Sequence, residues 1–160
     1  MPVVIDILLW FSALSAGLMA GLYFAFSAFV MAALGSIERP AGVAAMNAIN
    51  RVILRSAFMP IFLVSTLAGV ALMAIGVLRP DDPGALEMAG GGAIYVLGMT
   101  GVTMAANVPL NNALAATDLA RDADAPVWAS FLVRWTRWNH VRTLASTVAL
   151  ALFILAIAAR

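Results

Sequence analysis

The amino-acid sequence predicts an all-α protein: a four-helix transmembrane bundle with amphipathic interfacial helices in its two cytoplasmic connections. Of its 160 residues, 64% are hydrophobic and only 11% are charged, whereas soluble domains are about half apolar and a quarter charged. The apolar residues fall into four long stretches, and the arginines gather in alternate connections between them. The length suits a single domain over residues 1–160.

Each apolar stretch is long enough for a spanning helix, which needs about 20 apolar residues. The stretches cover about residues 7–32, 56–78, 92–112 and 139–159. We expect the first to remain in the protein, because Asp6 stands where a signal peptide has basic residues and no small-residue cleavage site follows. The charge-free part of the fourth, residues 143–159, is short, but its flanking arginines can snorkel to the interface, and Trp138 and Asn139 would extend it.

The arginines predict the orientation of the bundle. The connections before the second and fourth stretches share one side, and they hold seven arginines: Arg39, Arg51, Arg55, Arg121, Arg134, Arg137 and Arg142. The other side holds Arg79, Arg160 and the N-terminal amine. Because basic residues concentrate on the cytoplasmic side, we expect an integral protein of the bacterial inner (plasma) membrane with both termini outside.

Both cytoplasmic connections have the pattern of amphipathic helices. In the first, Pro40 can begin a helix, and Val43 and Met46 are apolar at helical spacing, whereas Asn47 and Arg51 form a polar stripe. The second contains VWASFLVRWTRW, in which the aromatic residues line one face and the arginines the opposite one. We expect both helices to lie along the membrane interface or to lead into it.

Small residues recur at every fourth position of the first stretch, a pattern that permits close helix packing. They are Ala13, Gly17, Gly21 and Ala25. Packing within the chain is the favoured interpretation, and a homo-oligomer that forms through the Gly17/Gly21 stripe is the alternative.

Polar side chains from three distant parts of the sequence converge on the cytoplasmic layer of the predicted bundle. They are Asn107, Asn111 and Asn112 at the end of the third stretch, Trp135, Trp138, Asn139, His140 and Arg142 at the start of the fourth, and Asn47, Asn50 and Arg51 before the second. Pro109 should kink or open the third helix, because it removes a backbone donor. Polar groups within a membrane are often functional, although amides and prolines also end helices and tryptophans also anchor them.

The composition excludes several kinds of site. Because the chain has no cysteine and one histidine, it has no disulfide, no thiolate nucleophile and no haem with two histidine ligands. The acidic residues lie mostly in loops, so we expect no metal site. No glycine-rich phosphate loop occurs, so we expect no cofactor. A net charge of +1 argues against a nucleic-acid partner.

Several segments together resemble the anthrone oxygenase family of small four-helix membrane proteins. NVPLNNAL at residues 107–114 is followed by WNHVRT at residues 138–143, and GLYFAFSAFVMAAL and AAMNAINRVIL precede both. The resemblance covers nearly the whole chain, and one departure is Ala32, where a proline is expected after the methionine. It implies a possible activity, because some fungal relatives convert a hydroxyanthrone to an anthraquinone with molecular oxygen and no evident organic cofactor.

The resemblance suggests roles for the polar cluster. An anthrone is acidic at its benzylic carbon, and its enolate can pass an electron to oxygen. His140 is the candidate base, and the candidate donors to the oxyanion are Arg142, Asn107 and Asn111. The candidate substrate-binding residues are Trp135, Trp138, Asn139, Asn50 and Asn47, of which the tryptophans could stack on a flat ring system. The expected partners are the lipid bilayer, a lipophilic aromatic molecule and O2.

Two other functions stay open at this point. In a non-enzymatic membrane protein, the same cluster would be a hydrogen-bond network that holds the helix ends together. In a small binder or carrier, it would hold a lipophilic ligand. The enzyme hypothesis requires an accessible cavity at the cluster, and it fails if the amides and the arginine only bond to one another in a filled core.

Overall fold

The computed structural model describes residues 2–117 and 125–160, and this part of the chain is helical without strands. Its α-helices are α1 (Pro2–Ala25), α2 (Met31–Ser36), α3 (Arg39–Ile53), α4 (Phe58–Leu78), α5 (Ala85–Ile94), α6 (Val108–Ala115) and α7 (Ala125–Ala158). Three wider π-helical segments join some of them: Phe26–Val30, Tyr95–Gly101 and Thr103–Asn107.

Four helical stretches are long and apolar enough to cross a membrane. They are Val3–Ser36, Phe58–Leu78, Ala85–Ala115 and Pro126–Ala158. The first and third contain the π segments, and the second and fourth are α4 and α7. The predicted fold class is therefore confirmed, and the four apolar helices indicate an integral membrane protein.

Side-chain contacts bring both chain termini to the same end of the bundle. Arg160 Nε donates to Asp6 Oδ1 at 2.7 Å. The turn between α4 and α5 lies at this end too, because Gly84 packs against Ala156 near the end of α7. Gly84 has a φ of 75°, a conformation that favours glycine. The opposite end, formed by α3 and the beginning of α7, is called the α3 end below.

An aromatic and aliphatic core holds α3 against the bundle. Val43 and Met46 of α3 are buried among Met31, Leu114, Trp128, Phe131 and Trp135. Pro40 lies in the first turn of α3, where its missing N–H costs no helical hydrogen bond. This is the amphipathic helix predicted for the first connection.

The helix predicted for the second connection is not a separate element. VWASFLVRWTRW and the fourth apolar stretch form one helix, α7, because no glycine or proline interrupts it after Pro126. At about 1.5 Å per residue it is about 50 Å long, more than the roughly 30 Å of the hydrocarbon core. Arg142, which the predicted orientation counts among the arginines of the connections, is buried inside the bundle. Arg121, from the same count, lies outside the described residues.

The third spanning stretch does not end at Pro109 but continues to Ala115. The π segment Thr103–Asn107 stops directly before α6, and the Val108 N–H donates to the Thr103 carbonyl five residues back. Pro109 then occupies the first turn of α6, where a missing N–H is tolerated. A π turn with i→i+5 hydrogen bonds takes the place of the expected opening.

Glycines let α4 and α5 approach closely. A Cβ atom added to Gly92 would meet the carbonyl oxygen of Gly69 and would lie 2.8 Å from the Met73 nitrogen. A Cβ atom on Gly21 would meet nothing within 4 Å. Gly17 lies beside α7 of the same chain, and the homo-oligomer through the Gly17/Gly21 stripe stays a prediction.

Gly92→Ala should lower the midpoint of thermal unfolding in detergent by about 4 °C or more, because the new methyl group must separate α4 from α5. Gly21→Ala is the matched control and should leave the midpoint unchanged. The midpoint is measured by the loss of monodisperse protein on size exclusion after heating. Equal midpoints for the two variants would contradict the close approach.

Candidate functional site

A cavity of about 530 Å³ lies at the α3 end of the bundle, within the size range of small-molecule sites. Most of its wall is apolar. Its polar and aromatic lining residues include Tyr23, Asn47, Asn50, Arg51, Thr103, Asn111, Asn112, Trp135 and Arg142. Leu54 and Met104 also line it and are largely exposed. The mouth therefore lies between the α3–α4 junction and the third spanning stretch.

Arg142 is a buried cation in the wall of this cavity, with only 5% of the residue exposed. Its Nη2 donates to Asn139 Oδ1 at 2.6 Å, and its Nη1 donates to Thr103 Oγ1 at 3.3 Å. The guanidinium carbon lies 4.2 Å from the ring centroid of Tyr23 and 5.1 Å from that of Trp135, so both rings stabilise its charge. Within the described residues no carboxylate pairs with it, and its Nε has no partner.

Asn139 holds Arg142 in position. The Nδ2 group of this buried amide donates to the Tyr23 carbonyl and to Ser27 Oγ, both at 2.6 Å. Its Oδ1 accepts from Arg142. Tyr23 and Ser27 stand on either side of the start of the π segment Phe26–Val30. One amide thus ties the first spanning helix to the fourth and orients the guanidinium.

A second hydrogen-bonded group ties α6 to α7. Asn107 Nδ2 donates to the Trp135 carbonyl at 3.2 Å, and Trp135 Nε1 donates to Asn111 Oδ1 at 2.9 Å. Trp135 and Asn111 line the cavity, whereas Asn107 is buried outside the lining. This group fixes the indole ring in the cavity wall beside Arg142.

Some buried polar atoms of the lining residues have no hydrogen-bond partner in the protein. They are Asn47 Oδ1, Asn50 Nδ2 and Arg142 Nε. A buried polar atom without a hydrogen-bond partner lowers the stability of the fold by about 1–3 kcal/mol. Each such atom in a native structure therefore requires an explanation. The side chains of the cluster therefore do not satisfy all of their hydrogen bonds among themselves. A molecule in the cavity would supply the missing partners.

The described wall of the cavity is suited to an anion. No group of three His, Cys, Asp or Glu side chains that could hold a metal occurs among the described residues. Among the described residues that line the cavity there is no carboxylate and no imidazole, and the titratable side chains are Tyr23, Arg51 and Arg142. The wall thus offers positive charge and hydrogen-bond donors to a ligand.

A comparison with protein families bears on this site. The sequence profile of the family described as Anthrone oxygenase matches residues 50–152, more than half of the chain. The chain belongs to the anthrone oxygenase family. No curated protein and no solved structure matches it. The matched region of this anthrone oxygenase family member contains Asn107, Asn111, Trp135, Asn139 and Arg142, whereas Asn47 and Tyr23 precede it.

Two of the predicted site residues of this family member lie outside the cavity. His140 and Trp138 are exposed, and neither lines the cavity. Successive residues of an α-helix differ by about 100° in direction, so the neighbours of the buried Asn139 point away from the bundle. The other predicted residues gather at the cavity: Asn47, Asn50, Asn111, Trp135 and Arg142 in its lining, and Asn107 and Asn139 in hydrogen bonds to lining residues.

Tyr23 and Thr103 were not among the residues predicted for the site. Thr103 shares a helix face with Asn107 and Asn111, so its spacing was a usable signal. Tyr23 lies in GLYFAF, where a tyrosine cannot be distinguished from the other aromatic residues of an apolar helix. Its contact with Arg142 depends on how α1 packs against α7, and no local pattern encodes that packing.

Asn139→Ala should lower the midpoint of thermal unfolding by several degrees, because it leaves Arg142 Nη2 and the Tyr23 carbonyl without this partner, at about 1–3 kcal/mol each. Thr147→Ala is a matched control on the same helix. Thr147 is exposed, and its hydroxyl bonds only to the Thr143 carbonyl of its own helix. Similar midpoints for both variants would show that Asn139 does not tie the helices together.

Proposed function

We propose that this anthrone oxygenase family member binds a flat lipophilic hydroxyaromatic molecule of the anthrone type in the cavity and promotes its oxidation by O2 without a cofactor. One observation carries the proposal. Arg142 is buried in the cavity wall, no described carboxylate neutralises it, and its Nε lacks a partner. A buried charge of this kind is costly, and an anionic ligand would offset the cost.

The oxidation requires an anion of the substrate. Loss of a benzylic proton from an anthrone gives an enolate, whose oxygen would accept hydrogen bonds from Arg142. The enolate passes one electron to O2, the resulting carbon radical and superoxide combine to form a C–O bond, and the peroxide anion takes up a proton. The resulting hydroperoxide loses water as its O–O bond breaks, which leaves a second carbonyl group. One anthrone and one O2 thus give one anthraquinone and one water.

The remaining lining residues support the binding of a flat aromatic molecule. The rings of Trp135 and Phe26 lie 5.6 Å apart at 50°, and those of Phe58 and Phe62 stack at 5.6 Å. All four rings line the cavity and offer apolar faces for a fused ring system. Since the described lining residues include no carboxylate or imidazole, the proton passes to water at the mouth of the cavity in this proposal.

A binder or carrier of the same ligand is the second candidate. The described lining residues include no carboxylate or imidazole, which favours this function because such a cavity can bind an anion without having a base to generate it. The two functions differ in whether anthrone and O2 are consumed together in stoichiometric amounts.

The proposal puts the α3 end in the cytoplasm of a bacterial cell and both termini outside its inner membrane. The arginine distribution supports this orientation. Arg39, Arg51, Arg55, Arg134 and Arg137 belong to α3, to the α3–α4 junction and to the beginning of α7. Arg79 and Arg160 lie at the opposite end.

Arg142→Gln should reduce the rate of anthrone-dependent O2 uptake by about 100-fold, because it removes the positive charge beside the enolate. Uptake is measured with an oxygen electrode on detergent-purified protein that elutes as a single species on size exclusion. Arg137→Gln is the matched control, an exposed arginine of the same helix, and should keep the wild-type rate. Equal rates for wild type and Arg142→Gln would refute the role of Arg142.

His140→Ala should leave O2 uptake unchanged, because the imidazole is exposed and is not part of the cavity lining. The same oxygen electrode assay checks this expectation. If the variant loses activity while its thermal midpoint stays that of the wild type, His140 would be the base that the sequence analysis favoured. The pathway of the proton given above would then be wrong.

A further inference from the structure

We infer that the preferred substrate is an acidic hydroxyaromatic molecule whose carboxylate binds Arg51 at the mouth of the cavity while its reacting oxygen lies at Arg142. The identity of the ring skeleton rests on the function proposed above. The requirement that the substrate carries an acidic group is separate, and it follows from the residues of α3 in the cavity wall.

Arg51 supplies a second positive charge to the cavity. It lies on α3, is exposed and lines the cavity. Within the described residues it has no ion pair and no side-chain hydrogen bond. Arg55 follows one turn later and is exposed as well, but it does not line the cavity. The described lining therefore contains two cations, one buried and one exposed, and no acidic side chain.

The amides next to Arg51 indicate which groups the ligand presents. Asn50 Nδ2 is a buried donor without a partner, and Asn47 Oδ1 is a buried acceptor without a partner. A carboxylate accepts hydrogen bonds from a guanidinium and an amide at the same time. The acceptor on Asn47 requires a donor, which a neighbouring phenolic hydroxyl would supply. The wall formed by α3 thus suits an aromatic ring that carries a carboxylate and a hydroxyl.

The positions of the two arginines orient such a ligand. A carboxylate at the exposed Arg51 keeps part of its hydration, so its transfer into the site costs less than burial next to Arg142. The ring system then occupies the apolar part of the cavity. This arrangement directs the oxygen of the reacting ring toward Arg142 and places the acidic group at the mouth.

The test compares anthrone-2-carboxylate with anthrone-2-carboxamide, a neutral ligand of nearly the same shape. Binding to the full-length protein in detergent is followed under nitrogen by the quenching of tryptophan fluorescence, so that no oxidation occurs. Wild type should bind the carboxylate about tenfold more tightly than the carboxamide. Arg51→Gln should abolish this preference, chiefly by weakening the binding of the carboxylate. Arg55→Gln, the matched control, should keep the preference.

Three results would overturn the inference: no preference in the wild type, an equal loss of preference in Arg55→Gln, or weak binding of both ligands to Arg51→Gln. The titration is repeated with added phosphatidylglycerol, since a lipid phosphate could bind Arg51 instead. Loss of the preference with this lipid, but not with phosphatidylcholine, would assign Arg51 to a headgroup and also overturn the inference.

Oxygen uptake in the same variants separates this inference from the proposed function. Uptake with plain anthrone but no carboxylate preference would leave the oxidation intact and refute the acidic substrate. A carboxylate preference without any uptake would support the acidic ligand and refute the oxidation.

Discussion

The hydrogen bond between Arg142 and Asn139 is the interaction on which the candidate site depends. A guanidinium inside an apolar bundle needs partners, because the loss of its hydration is costly. This chain supplies an amide, a hydroxyl and two aromatic faces, and no described carboxylate. The positive charge is thus held in place and solvated in part, but it is not neutralised. It stays available to an anion that enters the cavity.

The surrounding helices follow from the same constraint. Asn139 can hold Arg142 because its amide is anchored on the first spanning helix, next to a π segment. Trp135 can shield the guanidinium because Asn111 holds its indole N–H. On the other side of the cavity, α3 contributes two amides, and Asn47 Oδ1 and Asn50 Nδ2 lack hydrogen-bond partners. The hydrogen-bonded support around Arg142 and the unpartnered polar atoms on α3 are the grounds on which we propose a binding site and not a structural network.

The sequence predicted the number of spanning helices and the amphipathic character of α3, because hydrophobic length and periodicity are local properties. It also identified most of the polar residues that gather at the cavity, since amides in an apolar chain are conspicuous. The sequence assigned Arg142 to the cytoplasmic connection, whereas the structure buries it inside the bundle. A buried arginine among amide and aromatic partners has the same local sequence as one that snorkels, and tertiary packing decides between them.

Side-chain direction accounts for the other differences. His140 was chosen for the chemistry of its imidazole, and one step along the helix turns it away from Asn139. Tyr23 was missed because its partner is 119 positions away in the sequence. Pro109 was expected to open the helix, whereas a π segment directly before it absorbs the irregularity. Helix rotation, long-range pairing and helix widening leave no pattern in a short sequence window.

The central claim is that Arg142 stabilises the anion of a bound hydroxyaromatic molecule. An anaerobic titration of anthrone with the purified protein at neutral pH tests it most directly, because the enolate of anthrone absorbs at longer wavelength than the neutral form. The account predicts that the enolate band appears on binding to wild type and is absent with Arg142→Gln. A spectrum of neutral anthrone alone, from wild-type protein that has bound it, would contradict the account.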